Sequence, residues 1–195
     1  GLVGSEMCIR DSSISAQSIE VKKSWMDILR EHPHSKWICQ WMSELPAVEE
    51  CCQFLYQGKS KGVSDGSYLK RKDLCSAAWI IQFNHHLNIR GGGIVPGPAG
   101  SSNAYQGELG GILGQLLIIY TLEKVQPPTT PYEICIACDG ESALYRSLQA
   151  TPEDFTSTNR SFDLISQIMD LKEKIFGTII PIHVKGHQDL SLIHI

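Results

Sequence analysis

The run AYQGELGGILGQLLIIYTLEKV, residues 104–125, constrains the fold more than any other stretch. It reads as one long helix, with Leu109, Ile112, Leu113, Leu116, Leu117 and Tyr120 on a broad apolar stripe. Burying such side chains stabilises by roughly 1.5–3 kcal/mol each. Gly110, Gly111 and Gly114 oppose the helix by roughly 1 kcal/mol each relative to alanine. Burial outweighs that cost, and glycines in such a helix predict a backbone laid close against a sheet. The flanking segments supply the strands. VSDGSYL and CSAAWIIQF form a hairpin whose KRKD connection is a loop rather than a tight turn, and NIRGGGIVPG is a third strand. YEICIACDG is a fourth, nearly continuous in apolar character and so central. SALYRSL and SFDLISQIMDLKEKI read as helices, and TIIPIHVKGHQD as a last strand and loop. The order β-β-β-α-β-α-α-β predicts an α/β fold with a mixed sheet.

Residues 19–57 read as three short helices. Val21, Trp25, Ile28 and Leu29 recur at helical spacing in the first. Ser35 caps a second that carries Ile38, Trp41, Met42 and Leu45 on one stripe. Pro46, Glu49 and Glu50 open a third, which ends at Gly58. Trp25, Trp37 and Trp41 need a partner surface, and a helical connector packed on its own domain is favoured over a separate binding module.

A hydrophobic fraction of 42% with 19% charged residues is that of a globular chain. The net charge of −4 excludes general attraction to nucleic acid, so any such binding must come from a local basic patch or from metal ions. No stretch is long and apolar enough to span a bilayer, and no basic leader opens the chain, so no membrane partner is expected and a cytoplasmic or nuclear location is. The seven cysteines are expected to be reduced thiols. Cys135 and Cys138 lie on a strand, where residues three apart point to opposite faces, so they cannot readily share one zinc. Residues 1–12 and 191–195 resemble translated sequencing adapter and are set aside, with the natural chain expected to continue in both directions. That leaves 13–58 as a helical connector or the end of an upstream domain, and 59–190 as the α/β domain.

Asp65 lies in the first strand, where aspartate is depleted. Taken alone, Asp65-Gly66 could mark a turn, Glu108 could be a first-turn residue on its helix dipole, and Asp139 could be an N-cap. The set says more. Asp65-Gly66 and Asp139-Gly140 each stand at or beyond the apolar part of a strand. If those strands are parallel neighbours, both carboxylates share the end of the sheet where α/β proteins bind ligands. Glu108 opens the crossover helix and could face the same spot. Three carboxylates with no Lys or Arg between them raise one another's pKa unless a cation intervenes. Hard oxygen ligands suit Mg²⁺, and such a site suits two-metal phosphoryl transfer.

The segments SDGSY, YQGELGGI, CDGESAL and VKGHQD, in that order, resemble the ribonuclease H domain, most closely those encoded by retroelements beside a reverse transcriptase. The resemblance covers about residues 61–189. It implies a ribonuclease H-like five-stranded mixed sheet flanked by helices, here preceded by a short helical segment. It also implies hydrolysis of the RNA strand of an RNA–DNA hybrid with two Mg²⁺ ions, Mn²⁺ being a substitute, and a reverse transcriptase domain in the same full-length polypeptide. By motif, Asp65 would bridge both metals, Glu108 would hold the second, and Asp139 would be the carboxylate ending the fourth strand. His187 would be the mobile-loop histidine that assists proton transfer or product release. Gly66, Ser67 and Lys185 are candidate nucleic-acid contacts, with hybrid recognised by shape and 2′-hydroxyls. Lys70, Arg71 and Lys72 could track a backbone, although a solvated loop is the commoner explanation of such a run.

The alternatives are a catalytically inactive ribonuclease H-like binding module, and an integrase or transposase of the same fold. The latter place two aspartates and then a glutamate on a late helix, whereas the order here is Asp, Glu, Asp. One departure matters. The family has a fourth carboxylate on a helix beyond the KGH loop, and Asp189 is too close to His187 to fill that place. The 195-residue chain is therefore expected to cut hybrid weakly or not at all; robust cleavage by the purified chain would contradict this.

Overall fold

The computed structural model of the chain describes residues 24–42, 46–97, 100, 102–149, 151 and 161–186. Three helices come first: α1 (Trp25–Glu31), α2 (Ser35–Ile38) and α3 (Val48–Tyr56). Then follow β1 (Lys61–Leu69), β2 (Leu74–Gln82), β3 (Asn88–Ile94) and α4 (Ala104–Val125). The chain continues through β4 (Glu133–Cys138), α5 (Glu141–Leu148), α6 (Phe162–Lys174) and β5 (Thr178–His183). The five strands form one mixed sheet in the order β3-β2-β1-β4-β5. β1–β2 and β2–β3 are antiparallel, while β1–β4 and β4–β5 are parallel. The expected order of elements holds, and the fold is α/β. β1 takes the centre, with β4 interior between β1 and β5.

Asp65 and Gly66 lie within β1, opposite Ala78 and Ala77 of β2, so this Asp-Gly step makes no turn. The reversal is made by a 3₁₀ turn over Lys70–Lys72 and by Asp73 at φ 48°. The Asp73 carboxylate accepts from Tyr68 Oη (3.3 Å) and from Gly100 N, which ties this turn to the loop before α4.

Asn103 caps α4, its side chain accepting from Gln106 N at 3.0 Å. The helix departs from the expected stripe, because every residue from Gln106 to Ile119 is buried. The reason is its place: one side lies on β1 and β2, and α1, α2, α3, α5 and α6 all pack against the rest. The glycines let it approach. A Cβ on Gly111 would stand 2.6 Å from Ser64 Cβ. The tightest meeting is glycine on glycine. A Cβ on Gly107 would lie 2.9 Å from Gly66 Cα and 2.8 Å from the Ser76 carbonyl oxygen, and one on Gly66 would run into the backbone of Gly107 and Glu108.

The helical segment belongs to the same core. Leu29, Ile38, Cys51, Cys52 and Leu55 are buried in one cluster with Trp79, Leu113 and Ile136. A capping box between Ser24 and Asp27 opens α1. The second helix is shorter than its pattern implied. Ser35 is the first residue of α2 rather than its cap, and its hydroxyl donates to the Arg30 carbonyl (3.4 Å). Trp41 lies beyond α2 and is 54% exposed. It is held by its backbone: Trp41 N donates to Gly92 O (3.0 Å), and Gln40 Oε1 accepts from Ile94 N (3.2 Å). These bonds cover open positions on the β3 edge, where an unpaired ladder would otherwise invite pairing with another chain. Trp25 and Trp37 pack against the core, and Trp37 Nε1 donates to His34 Nδ1 (3.1 Å). Glu49 and Glu50 fall in the first turn of α3, and Gly58, at φ 67°, follows its end. Val21 and Leu45 lie outside the described residues. At the far end of α4, the buried Glu123 carboxylate accepts from Tyr132 Oη (2.6 Å), Phe176 N (2.9 Å) and Gly177 N (3.1 Å).

All described helices gather on the α4 side of the sheet. Strand alternation puts Val63, Asp65, Ile80, Ile94, Cys135, Ile180 and Ile182 on the other face, which no described helix covers. The described cysteines are all free thiols. No described helix is long and apolar enough to cross a membrane.

Because backbone meets backbone at Gly66 and Gly107, neither site can absorb a methyl group by moving a side chain. Gly66→Ala and Gly107→Ala are each expected to cost about 3 kcal/mol, and Ser67→Ala, exposed next door, under about 0.5 kcal/mol. Denaturant midpoints of the three variants check this.

Candidate metal centre

Parallel pairing of β1 with β4 sets Ser64 beside Cys138, the last residue of β4. Asp65 and Asp139 therefore follow at the same end of the sheet. Even-numbered residues of β1 face α4, where Ser64 meets Gly111 and Gly66 meets Glu108, so Asp65 stands on the opposite face, exposed to solvent. Glu108, four residues into α4, reaches down to the strand ends. Its Oε1 accepts from Gly66 N at 3.0 Å, and its Oε2 accepts from the Cys138 thiol at 2.9 Å. The Cys138 sulfur in turn accepts from Gly140 N at 3.4 Å.

Asp139 completes the cluster. Its Oδ1 is shut off from solvent yet has no hydrogen-bond partner among the described residues, a costly state for a carboxylate oxygen. It caps no helix, since Gly140 occupies the N-cap position of α5. Its carbonyl accepts from Glu141 N (3.0 Å) and lies 3.1 Å from His183 Nε2. Two glycines close around the acids. A Cβ on Gly140 would stand 2.7 Å from Glu108 Cγ, and one on Gly186 would stand 2.5 Å from Asp139 Oδ2. One ligand atom from each of Glu108, Cys138 and Asp139 lies within 4.8 Å of the others, which makes this a possible metal-binding group.

The electrostatics follow from burial and like charge. Burial is the main force pushing the Glu108 carboxyl up to about 7, and the negative charges of Asp139 and Asp65 add to it. Its hydrogen bonds from Cys138 and Gly66 pull the other way without cancelling the shift. Burial, then the neighbouring Glu108, holds the Cys138 thiol above its ordinary range.

The structure thus brings Glu108 and Asp139 together, and puts Asp65 at the same end of the sheet but outside that close group. Gly66 meets the site through its backbone N–H. Ser67 is exposed, opposite Ser76, on the Asp65 face. Lys185 is exposed in the loop after β5, next to Gly186, which abuts Asp139. His187 lies outside the described residues.

Sequence reasoning missed Cys138, Gly140, His183 and Gly186. A signal for Cys138 was present. With Asp139 just past the strand end, the residue before it must alternate onto the helix-covered face, where Glu108 is. Comparing Cys138 with Cys135 looked to the wrong neighbour, because the two do face opposite sides. Compared with known proteins, the chain matches no family model, and no curated protein matches it significantly.

A carboxyl whose folded pKa lies above its unfolded one stabilises the fold at low pH, and that contribution is lost as pH rises through the folded value. In chelator-treated buffer, stability is therefore expected to fall between about pH 5 and pH 8, with Glu108 supplying on the order of 2–3 kcal/mol of the change. Glu108→Gln should remove that part of the slope. Denaturant midpoints at both pH values, wild type against variant, check the sign and size.

Proposed function

We propose that this chain carries the metal-dependent endonuclease core that hydrolyses the RNA strand of RNA–DNA hybrids, as in a retroelement ribonuclease H. The observation that carries the reading is the convergence at one sheet end. Asp65 and Asp139 follow paired positions of two parallel strands, and Glu108 of the crossover helix is bonded to the backbone next to one and to the residue before the other. The unpartnered Asp139 oxygen and the crowding of acids fit a group that expects a cation.

Asp65, Glu108 and Asp139 would hold Mg²⁺, with Mn²⁺ as a substitute. Bound there, the metal would lower the pKa of an attacking water and offset charge on the phosphate. The chain's own contribution is position. Gly66 N–H fixes one oxygen of Glu108, while Asp139 is walled by Gly140 and Gly186. Gly186 immediately precedes His187, the candidate proton carrier. The turn Lys70–Lys72 continues from the C-terminal end of β1, beyond Asp65, and is exposed. Five residues of strand put it about 17 Å from Asp65, a reach suited to phosphates along a bound duplex. Lys185, exposed beside Gly186, offers a second positive charge on the loop that abuts Asp139.

The test is a chain extended past Leu190 in its natural reading frame, given Mg²⁺ and a hybrid labelled in the RNA strand, beside duplex DNA and duplex RNA. Expected is cleavage of the hybrid's RNA alone, slowed about 100-fold or more by Asp65→Asn and by Asp139→Asn. No cleavage with either Mg²⁺ or Mn²⁺, or wild-type rates in both variants, would sink the reading.

A further inference from the structure

The thiol in this cluster has consequences of its own. Cys138 has no accessible surface, its sulfur lies 2.9 Å from Glu108 Oε2, and a backbone N–H from Gly140 already points at it. That donor is placed to hold a metal-bound sulfur, while burial and Glu108 keep the free sulfur as a thiol until an ion displaces its proton. Beside it, Asp139 Oδ1 is sealed from water and lacks a donor among the described residues. These are one sulfur and two oxygen ligands from three residues, all within 4.8 Å of each other.

Hard and soft ligands sort metals differently. Mg²⁺ demands six oxygens in near-ideal octahedral geometry and gains nothing from sulfur. Zn²⁺ and its softer relatives accept thiolate together with carboxylate, and three protein ligands with one position open is a common zinc arrangement. At zinc bond lengths a tetrahedral edge between sulfur and oxygen spans roughly 3.5 Å. The Cys138–Glu108 pair would have to open by about half an ångström, and Asp139 would have to draw in by up to about 1.3 Å, both within the reach of side-chain rotation. Gly140 and Gly186 leave the space beside Glu108 and Asp139 that any bulkier residue would fill.

We propose that Glu108, Cys138 and Asp139 form a binding site for a thiophilic divalent cation of the Zn²⁺ or Cd²⁺ class. On binding, the sulfur–hydrogen bond of Cys138 breaks and a sulfur–metal bond forms. The proton passes to buffer, with no change of oxidation state. The site needs only the geometry around Asp139 and stands whether or not the chain cuts hybrids. If it does cut them, the soft ion takes two of the carboxylates assigned to Mg²⁺ and so acts as an inhibitor that excess Mg²⁺ relieves poorly.

The experiment is titration of the full, reduced, chelator-stripped chain with Cd²⁺, and separately with Co²⁺, following the thiolate-to-metal charge-transfer absorption in the ultraviolet. No substrate is present, so the readout is independent of activity. Expected is one equivalent of tightly bound metal, with the absorption lost and affinity weakened about 100-fold or more in Cys138→Ser. The serine hydroxyl keeps a donor toward Glu108, and circular dichroism verifies that the variant is folded. Cys135→Ser and Cys39→Ser should keep the band, and Asp139→Asn should keep it with weaker binding. A band that survives Cys138→Ser, or binding that vanishes only in Cys135→Ser or Cys39→Ser, would overturn the assignment. Should Cys138→Ser fail to fold, Glu108→Gln and Asp139→Asn decide: the band kept with Cd²⁺ affinity weakened in both supports the site, and unchanged affinity in both overturns it.

Discussion

The contact between Gly66 of β1 and Gly107 of α4 sets the geometry of the whole domain. With no side chain between them, the long helix rests its backbone on the central strand. That closeness has two effects. It allows α4 to be enclosed by sheet and helices together, so its apolar residues all count toward the core. It also brings the next residue, Glu108, within hydrogen-bonding distance of the Gly66 amide. Packing and chemistry are therefore one constraint: lifting the helix by the width of a methyl group would loosen the core and withdraw the carboxylate from the strand ends.

The same helix carries two buried glutamates, and the contrast between them separates structure from site. Glu123 accepts from a tyrosine hydroxyl and two backbone amides, so its charge is fully answered by donors. It ties the end of α4 to the approaches of β4 and β5. Glu108 has two donors, but it sits among other acids whose charges oppose its ionisation, and its neighbour Asp139 holds an oxygen that no described residue answers. A carboxylate surrounded by donors stabilises a fold. A carboxylate surrounded by carboxylates costs stability, and such a cost marks a place kept for something other than folding.

How much could be read in advance follows the range of the forces involved. The existence of α4 was legible because a long apolar run at helical spacing acts locally. The placing of Asp65 inside a strand was legible because the chain continues in strand-forming residues on both sides. The full burial of α4 was not, since periodicity cannot count the helices that later surround an element. Trp41 misled for a related reason: its spacing continued a helical stripe, yet its backbone found better partners on the β3 edge. Glu108 and Asp139 could be paired from order and topology alone. Alternation from Asp139 could turn Cys138 toward the helix-covered face, but its distance from Glu108 depends on a register, Ser64 beside Cys138, set by two strands distant in sequence.

The enclosure of α4 also sets how the molecule opens. Amide hydrogens exchange with solvent through whatever fluctuation exposes them, and shallow fluctuations reach edges and ends first. From Gln106 to Ile119 the helix has no exposed side from which such an opening could begin. Amides deep in that stretch exchange only when the sheet and the surrounding helices part from it together, so their protection reads out the free energy of the entire fold. Glu108 lies one turn from the exposed Ala104 that starts the helix, so its amide, beneath the acidic cluster, also opens by fraying from that end.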